Sequence, residues 1–261
     1  MKKILFLLFN LCGIFIVQAQ KFELGLQAGI CNYWGDLAPK VKLSETKGTA
    51  GFFGRLNFNH TWALKGEFNH YSVSGSDKNF EVNAPRNLSF RSGINELAVI
   101  LEFNYLKYGP FVLHKKITSY VYAGIAGFTF NPQAKLKDKY YDLRDYQTEN
   151  VLYNKFSMAI PFGIGIKYML SNKFAIEGQL GFRKTFTDHL DDVSTVYPGV
   201  NASDAGTVKS ILTDRSVELY GTPQNKLGYR RGNPDYKDWY MSCTVSIAMR
   251  IHTRIKCARF F

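Results

Sequence analysis

Residues 156–170 read FSMAIPFGIGIKYML, and the large apolar side chains fall on every second position from Phe156 to Tyr168. The positions between them, Ser157, Ala159, Pro161, Gly163, Gly165 and Lys167, are small or charged. A period of two is the signature of a β-strand with two unlike faces. The same alternation recurs at about 22–33, 50–58, 62–73, 91–105, 118–130, 156–169, 173–187 and 239–251. In 239–251 one face runs Trp239, Met241, Cys243, Val245, Ile247, Met249, Ile251, and the other carries Tyr240, Ser242, Thr244, Ser246, Ala248 and Arg250.

Eight such strands, each about ten residues or longer, predict an all-β fold: an eight-stranded antiparallel up-and-down transmembrane β-barrel over 20–251. Lipid satisfies no backbone hydrogen bond, so strands within it must close on themselves. The competing reading is a soluble barrel or sandwich, whose apolar face points inward. Two features favour the membrane. Aromatic residues gather at strand ends (Tyr33, Trp34, Trp62, Tyr105, Tyr168, Trp239), as interfacial girdles require, and the apolar face is unbroken along several strands. Short turns are expected at 59–61 and 171–172, on the periplasmic side, and long outer loops at 35–48, 74–90, 131–155 and 188–238. The connection 107–117 (KYGPFVLHKKI) is longer than a periplasmic turn needs. It carries Lys107, Lys115 and Lys116, a candidate surface for a periplasmic partner as much as a solvated loop near lipid phosphates.

The apolar face then meets lipid and the other face looks into the lumen. An eight-stranded barrel is just wide enough for side chains to fill it. The inward set expected from strand parity is Glu23, Arg55, Lys65, Glu67, Glu96, Glu102, Lys167, Glu177 and Arg183, five acids and four bases. Buried charges need partners, so the near balance predicts a paired, plugged lumen rather than a pore. Ala159, Gly163, Gly165 and Gly181 leave room for the longer inward side chains.

Composition sharpens this picture. Aromatics make up 15% of residues, yet the mean hydropathy is only −0.18, which fits alternation rather than continuous apolar helices. No run of 18 uninterrupted apolar residues argues for a helical span. Residues 1–19, with Lys2 and Lys3 before an apolar stretch and Val17-Gln18-Ala19 at its end, read as a secretory signal peptide. Its removal takes two of the 33 basic residues and leaves 31 against 21 acidic, a net charge of +10. For an exported chain this suits anionic lipid headgroups or an acidic partner better than nucleic acid. Cys31, Cys243 and Cys257 make an odd set with no CxxC spacing, so neither a disulfide framework nor a zinc site is expected. Cys31 and Cys243 fall on opposite faces of neighbouring strands.

Candidate chemistry is sparse, and no catalytic residue or cofactor is expected. His70 and Ser72 could pair as base and nucleophile, but two such residues on one strand face arise readily by chance. Asp188, Asp191 and Asp192, with His189, could hold a divalent cation, though the run lacks the ligand periodicity of an EF-hand. It reads better as a polar loop entry with Asx-type bonds from its side chains to backbone amides. The stretch 124–127 (GIAG) has neither the helix nor the Lys-Ser/Thr pair of a phosphate loop.

An ordered set of segments completes the reading: 32–37 (NYWGDL), 86–92 (RNLSFRS), 130–134 (FNPQA), 159–163 (AIPFG), 181–188 (GFRKTFTD), 190–194 (LDDVS), 231–234 (RGNP) and 238–240 (DWY). Together they resemble the PorG-like outer-membrane barrel proteins of Bacteroidetes, over nearly the whole mature chain. The resemblance implies a non-enzymatic accessory or anchor component of type IX secretion in the cell outer membrane. It implies association with a periplasmic ring lipoprotein and, in some organisms, support of gliding. His189 stands where the family pattern leads one to expect Tyr, and the basic tail 252–261 extends past the last strand. The broader alternative is a generic OmpA- or OmpX-like barrel with a structural or adhesive role. A lipid-modifying barrel enzyme using His70 or His189 is a third.

Overall fold

The computed structural model describes residues 21–81, 83–107, 116–199 and 206–251. The leader 1–19, the tail 252–261 and Lys115 lie outside the described residues. Among the described residues nine strands form one antiparallel sheet: β1 (Lys21–Trp34), β2 (Lys47–Asn57), β3 (Trp62–Ser76), β4 (Ser89–Asn104), β5 (Ile117–Leu136), β6 (Lys139–Asp142), β7 (Phe156–Met169), β8 (Phe174–Thr185) and β9 (Trp239–Ile251). Each long strand pairs with the next, and β9 pairs back onto β1 from Phe22↔Ile251 to Trp34↔Trp239. The result is a closed barrel of eight strands, with β6 as a short extra arm on β5.

The register sets the barrel's shape. Following paired residues from Asn32 through Met241, Phe182, Phe162, Ala123, Leu101, Leu64 and Leu56 returns to β1 at Phe22, ten residues below the start. A shear of ten over eight strands tilts each strand by about 43° to the axis. Closure leaves no edge to cap.

The faces are distributed as the alternation requires. Along β7, Phe156, Met158, Ile160, Phe162, Ile164, Ile166 and Tyr168 are exposed, while Ala159 and Lys167 are buried. A soluble barrel would reverse this. Trp62 packs edge-on against Phe103 at the turn end, and Trp34 pairs with Trp239 at the loop end. Tyr33 departs from the expected girdle: it is 1% exposed and points inward. It neighbours Trp34 on an alternating strand, so the two cannot share a face.

At the loop end β2 to β5 all outrun the sequence reading, β2 starting at Lys47 and β4 at Ser89. β3 continues to Ser76, and β5 runs through Pro132 to Leu136 instead of stopping at 130. There the chain turns at Lys137 and Asp138, both with positive φ, into β6, so 131–155 is not all loop. Two positive-φ residues make a tight hairpin turn usually written Asn-Gly; Lys-Asp hid it. Three short helices complete the cap: α1 (Leu143–Tyr146), α2 (Val208–Thr213) and α3 (Val217–Tyr220).

Candidate functional site

The lumen is the densest polar region. All nine inward charges expected from parity are buried, with exposures of 0 to 3%. They form two knots. In the lower one, Arg55 from β2 meets Glu23 (2.9 Å), Glu102 (2.9 Å) and Glu177, the last through Nη1 at 2.5 Å and Nη2 at 2.6 Å. Lys167 reaches Glu102 at 2.5 Å. In the upper knot Arg183 contacts Glu67 (3.5 Å), Glu96 (3.6 Å) and the hydroxyl of Tyr71 (2.6 Å). Lys65 ties the two together, at 2.9 Å from Glu67 and 3.5 Å from Glu102.

The parity list missed one base. Arg250 on β9 is buried and bonds Glu23 at 3.2 Å, so five acids face five bases. It lies on the same face as Ser242 and Ser246, which was the available signal. Neutral partners were also missed. Gln179 accepts bonds from Lys65 (2.9 Å) and Tyr120 (3.0 Å) and donates to the hydroxyl of Tyr122 (2.9 Å). Tyr240 donates to Glu96 at 2.5 Å. Glycines make space for these rings: a Cβ on Gly165 would meet Tyr120, and one on Gly181 would meet Tyr122 and Arg183. Among the described residues the side chains of both knots and these rings are buried in the lumen.

A second polar assembly closes the loop end. The Tyr33 hydroxyl lies 2.6 Å from Asp191 Oδ2 and 2.6 Å from Asp238 Oδ1. A phenol gives one proton, so the second contact needs a proton on a carboxyl. Burial pushes Asp191 and Asp238 well above the usual carboxylate range, and their mutual repulsion adds to this for Asp191. Nearby, Arg231 bonds Glu149 at 2.8 Å and the carbonyl of Asp192 at 2.5 Å. Burial works to raise Glu149, but Arg231 and the backbone donor of Ser194 hold it below its ordinary value. Arg86 pairs with Asp77 at 2.7 and 2.8 Å and donates to the carbonyls of Asp36 and Arg231. Leu37, Leu88, Phe90, Leu143, Leu190 and Leu212 pack beneath as an apolar floor.

Within this assembly the carboxylates of 188–192 have protein partners. Asp188 accepts from Ser194 (2.6 Å), Asp191 from Tyr33, and Asp192 from Tyr153 (2.7 Å) and Thr148 (2.5 Å). Each carboxylate is committed to a protein donor, and among the described residues no group of three or more ligands converges on one point. Burial raises Asp188 to about 7 and Asp192 to about 6. His189 stacks on Tyr153 at 4.5 Å, and burial lowers its pKa.

The other candidates separate. His70 faces outward with Nδ1 2.8 Å from Asn95 Oδ1, so Asn95 and not Ser72 is its side-chain partner. Cys31 is buried in the lumen and Cys243 is exposed on the outer wall; both are free thiols. Lys107 and Lys116 are exposed at the turn end, flanking 108–115, which lies outside the described residues.

Residues 2–210 match the family described as Domain of unknown function (DUF6089). No curated protein matches the chain. Solved barrels resemble it distantly. Ail, the attachment invasion locus protein of Yersinia pestis, is 8% identical with a TM-score of 0.42, covering 90% of this chain and 100% of Ail. The N-terminal β-barrel domain of Pseudomonas aeruginosa OprF is 11% identical with a TM-score of 0.39, covering 89% and 99%. OprG from the same organism is 9% identical with a TM-score of 0.39, covering 90% and 98%. The closed register, independent of these likenesses, defines the barrel.

Proposed function

This chain belongs to the DUF6089 family, and we propose that it is a non-enzymatic outer-membrane barrel, sealed to solutes, that acts as a structural anchor. The inverted polarity carries the reading. An exterior that along β7 is apolar for about the height of a bilayer's hydrocarbon, ringed by aromatics, suits lipid, and the charge-paired interior supports a sealed barrel. The charged groups of the lumen are paired with one another, which supports a structural rather than a catalytic role. The full chain folded into lipid vesicles should show the heat-dependent gel mobility of a closed barrel and a conductance no greater than bare bilayers. Stable open-pore conductance would overturn the sealed reading.

A narrower role, as accessory or anchor component of type IX secretion bound to a periplasmic ring lipoprotein, rests on the sequence resemblance. The exposed Lys107 and Lys116 at the turn end give it a physical foothold. Capture of a tagged copy from the outer membrane in mild detergent tests it. A ring lipoprotein recovered in constant ratio, with loss of cargo export on deletion, supports the role. A clean monomer with an intact secretome returns the protein to the generic structural barrel.

A further inference from the structure

The outer wall is not equally apolar all round. At the tilt set by the shear, each residue climbs about 2.4 Å. On β7 the exposed apolar run from Tyr168 to Phe156 rises about 29 Å. On β3 the run starts at the same turn end with Trp62 and stops at Phe68, after about 14 Å. Above it, outward positions carry His70 and Ser72 on β3 and Asn95 and Arg91 on β4. Acyl chains solvate such groups poorly, so on this side the headgroup layer must dip toward the turn end.

Directly above the dip is a polar groove of about 510 Å³ on the outside of the barrel. Lys47, Arg91 and Lys135 line it, with the hydroxyls of Ser72, Ser76 and Ser89. Arg91 is held in place: its guanidinium lies 3.1 Å from the centre of the Tyr140 ring and bonds Gln133 at 3.1 and 3.2 Å. Glu45 is the acid in the lining; it is 6% exposed and engaged with Ser74 (2.6 Å) and Asn79. Lys135 also contacts Asp138 at 2.7 Å, an exposed pair of little strength. Below the groove the outward wall of β2 and β3 presents Ala50, then the ring pair Phe52–Phe68, then Gly54 and Gly66, with nothing within 4 Å of a Cβ placed on Gly66.

We propose that this groove binds the phosphate-bearing headgroup of an outer-leaflet lipid, whose acyl chains lie against Phe52, Phe68 and the glycines below them on β2 and β3. A fixed guanidinium, two mobile ammonium groups and hydroxyl donors suit a phosphate, and the height places them at the headgroup layer. The inference rests on the membrane reading above.

The test uses the full chain folded in a neutral maltoside detergent, titrated with diphosphorylated lipid A and followed by native mass spectrometry. Wild type should bind it saturably, in preference to phosphatidylcholine, and inorganic phosphate at equal concentration should not displace it. Lys47→Ala/Arg91→Ala should weaken binding by about tenfold or more while keeping the heat-dependent gel mobility. Lys107→Ala/Lys116→Ala, which removes the same charge from the opposite rim, should bind as wild type does. Unchanged affinity in the groove variant, equal loss in the rim variant, or displacement by phosphate overturns the site. Flotation with neutral vesicles separates the two levels: a wild type that does not float refutes the membrane reading, while one that floats without preferring lipid A refutes the groove alone.

Discussion

Arg55 and Glu177 face each other across the lumen, joined by two parallel bonds of 2.5 and 2.6 Å between β2 and β8. These strands are not neighbours in the sheet, so the pair spans the barrel and not a ladder. Arg55 also serves Glu23 and Glu102. Arg55→Ala therefore leaves three buried carboxylates short of a cation. Breaking a buried pair from one side costs about 3–5 kcal/mol. Urea unfolding in vesicles should show a loss of that order, and a smaller one for Glu177→Gln, which removes charge without stranding a cation that keeps two other acids.

Tyr33→Phe tests the clasp at the loop end. It removes the hydroxyl shared by Asp191 and Asp238 and leaves one buried carboxyl without its donor and the other without its acceptor, at a cost of about 1–3 kcal/mol. The barrel should stay folded while the cap loosens. Limited proteolysis should cut within 188–238 faster than in wild type, and unchanged cleavage would show that the clasp does not hold the loop.

The cap should be pH-sensitive, in a definite direction. Asp188 and Asp192 rise from 3.8 to about 7 and about 6 on folding, so between pH 4 and 7 the folded cap holds protons that the unfolded chain has released. Stability is complete below the unfolded value and falls as pH rises through the folded ones. Hydrogen exchange in 188–238 should accelerate from pH 5 to pH 8. Asp188→Asn, fixed in the neutral form, should flatten the upper part of that rise; an unaltered profile would remove Asp188 from the account.

Two glycines on adjacent strands should respond oppositely to the same change. A Cβ on Gly163 would strike the carbonyl of Leu180 and the Tyr122 hydroxyl, whereas one on Gly178 meets nothing within 4 Å. Gly163→Val should cost about 1–3 kcal/mol by overpacking and lower the yield of folded barrel. Gly178→Val, pointing outward, should refold as wild type does. Gel-shift refolding yields in one detergent compare them directly.

Local periodicity by itself determined the strands, their two faces, and nearly all of the lumen charges. A side-chain period of two is a property of each strand alone and needs no knowledge of its neighbours. Hence Glu23, Arg55, Lys65, Glu67, Glu96, Glu102, Lys167, Glu177 and Arg183 could be placed inward from parity. Which acid meets which base was not legible, because Arg55 and Glu177 are 122 positions apart and meet only once the register closes with its shear. The cap was hidden for the same reason. Alternation turns Tyr33 inward, but that it meets 191 and 238 was not legible, nor was it legible that Tyr33, Tyr153 and Thr148 arrive from elsewhere to bond the carboxylates of 188–192. The groove by Arg91 depends on Tyr140, which β6 delivers through a Lys-Asp turn without the usual glycine. Alternation is written residue by residue, whereas pairing across a closed barrel is decided by shear and by the loops that return over its mouth.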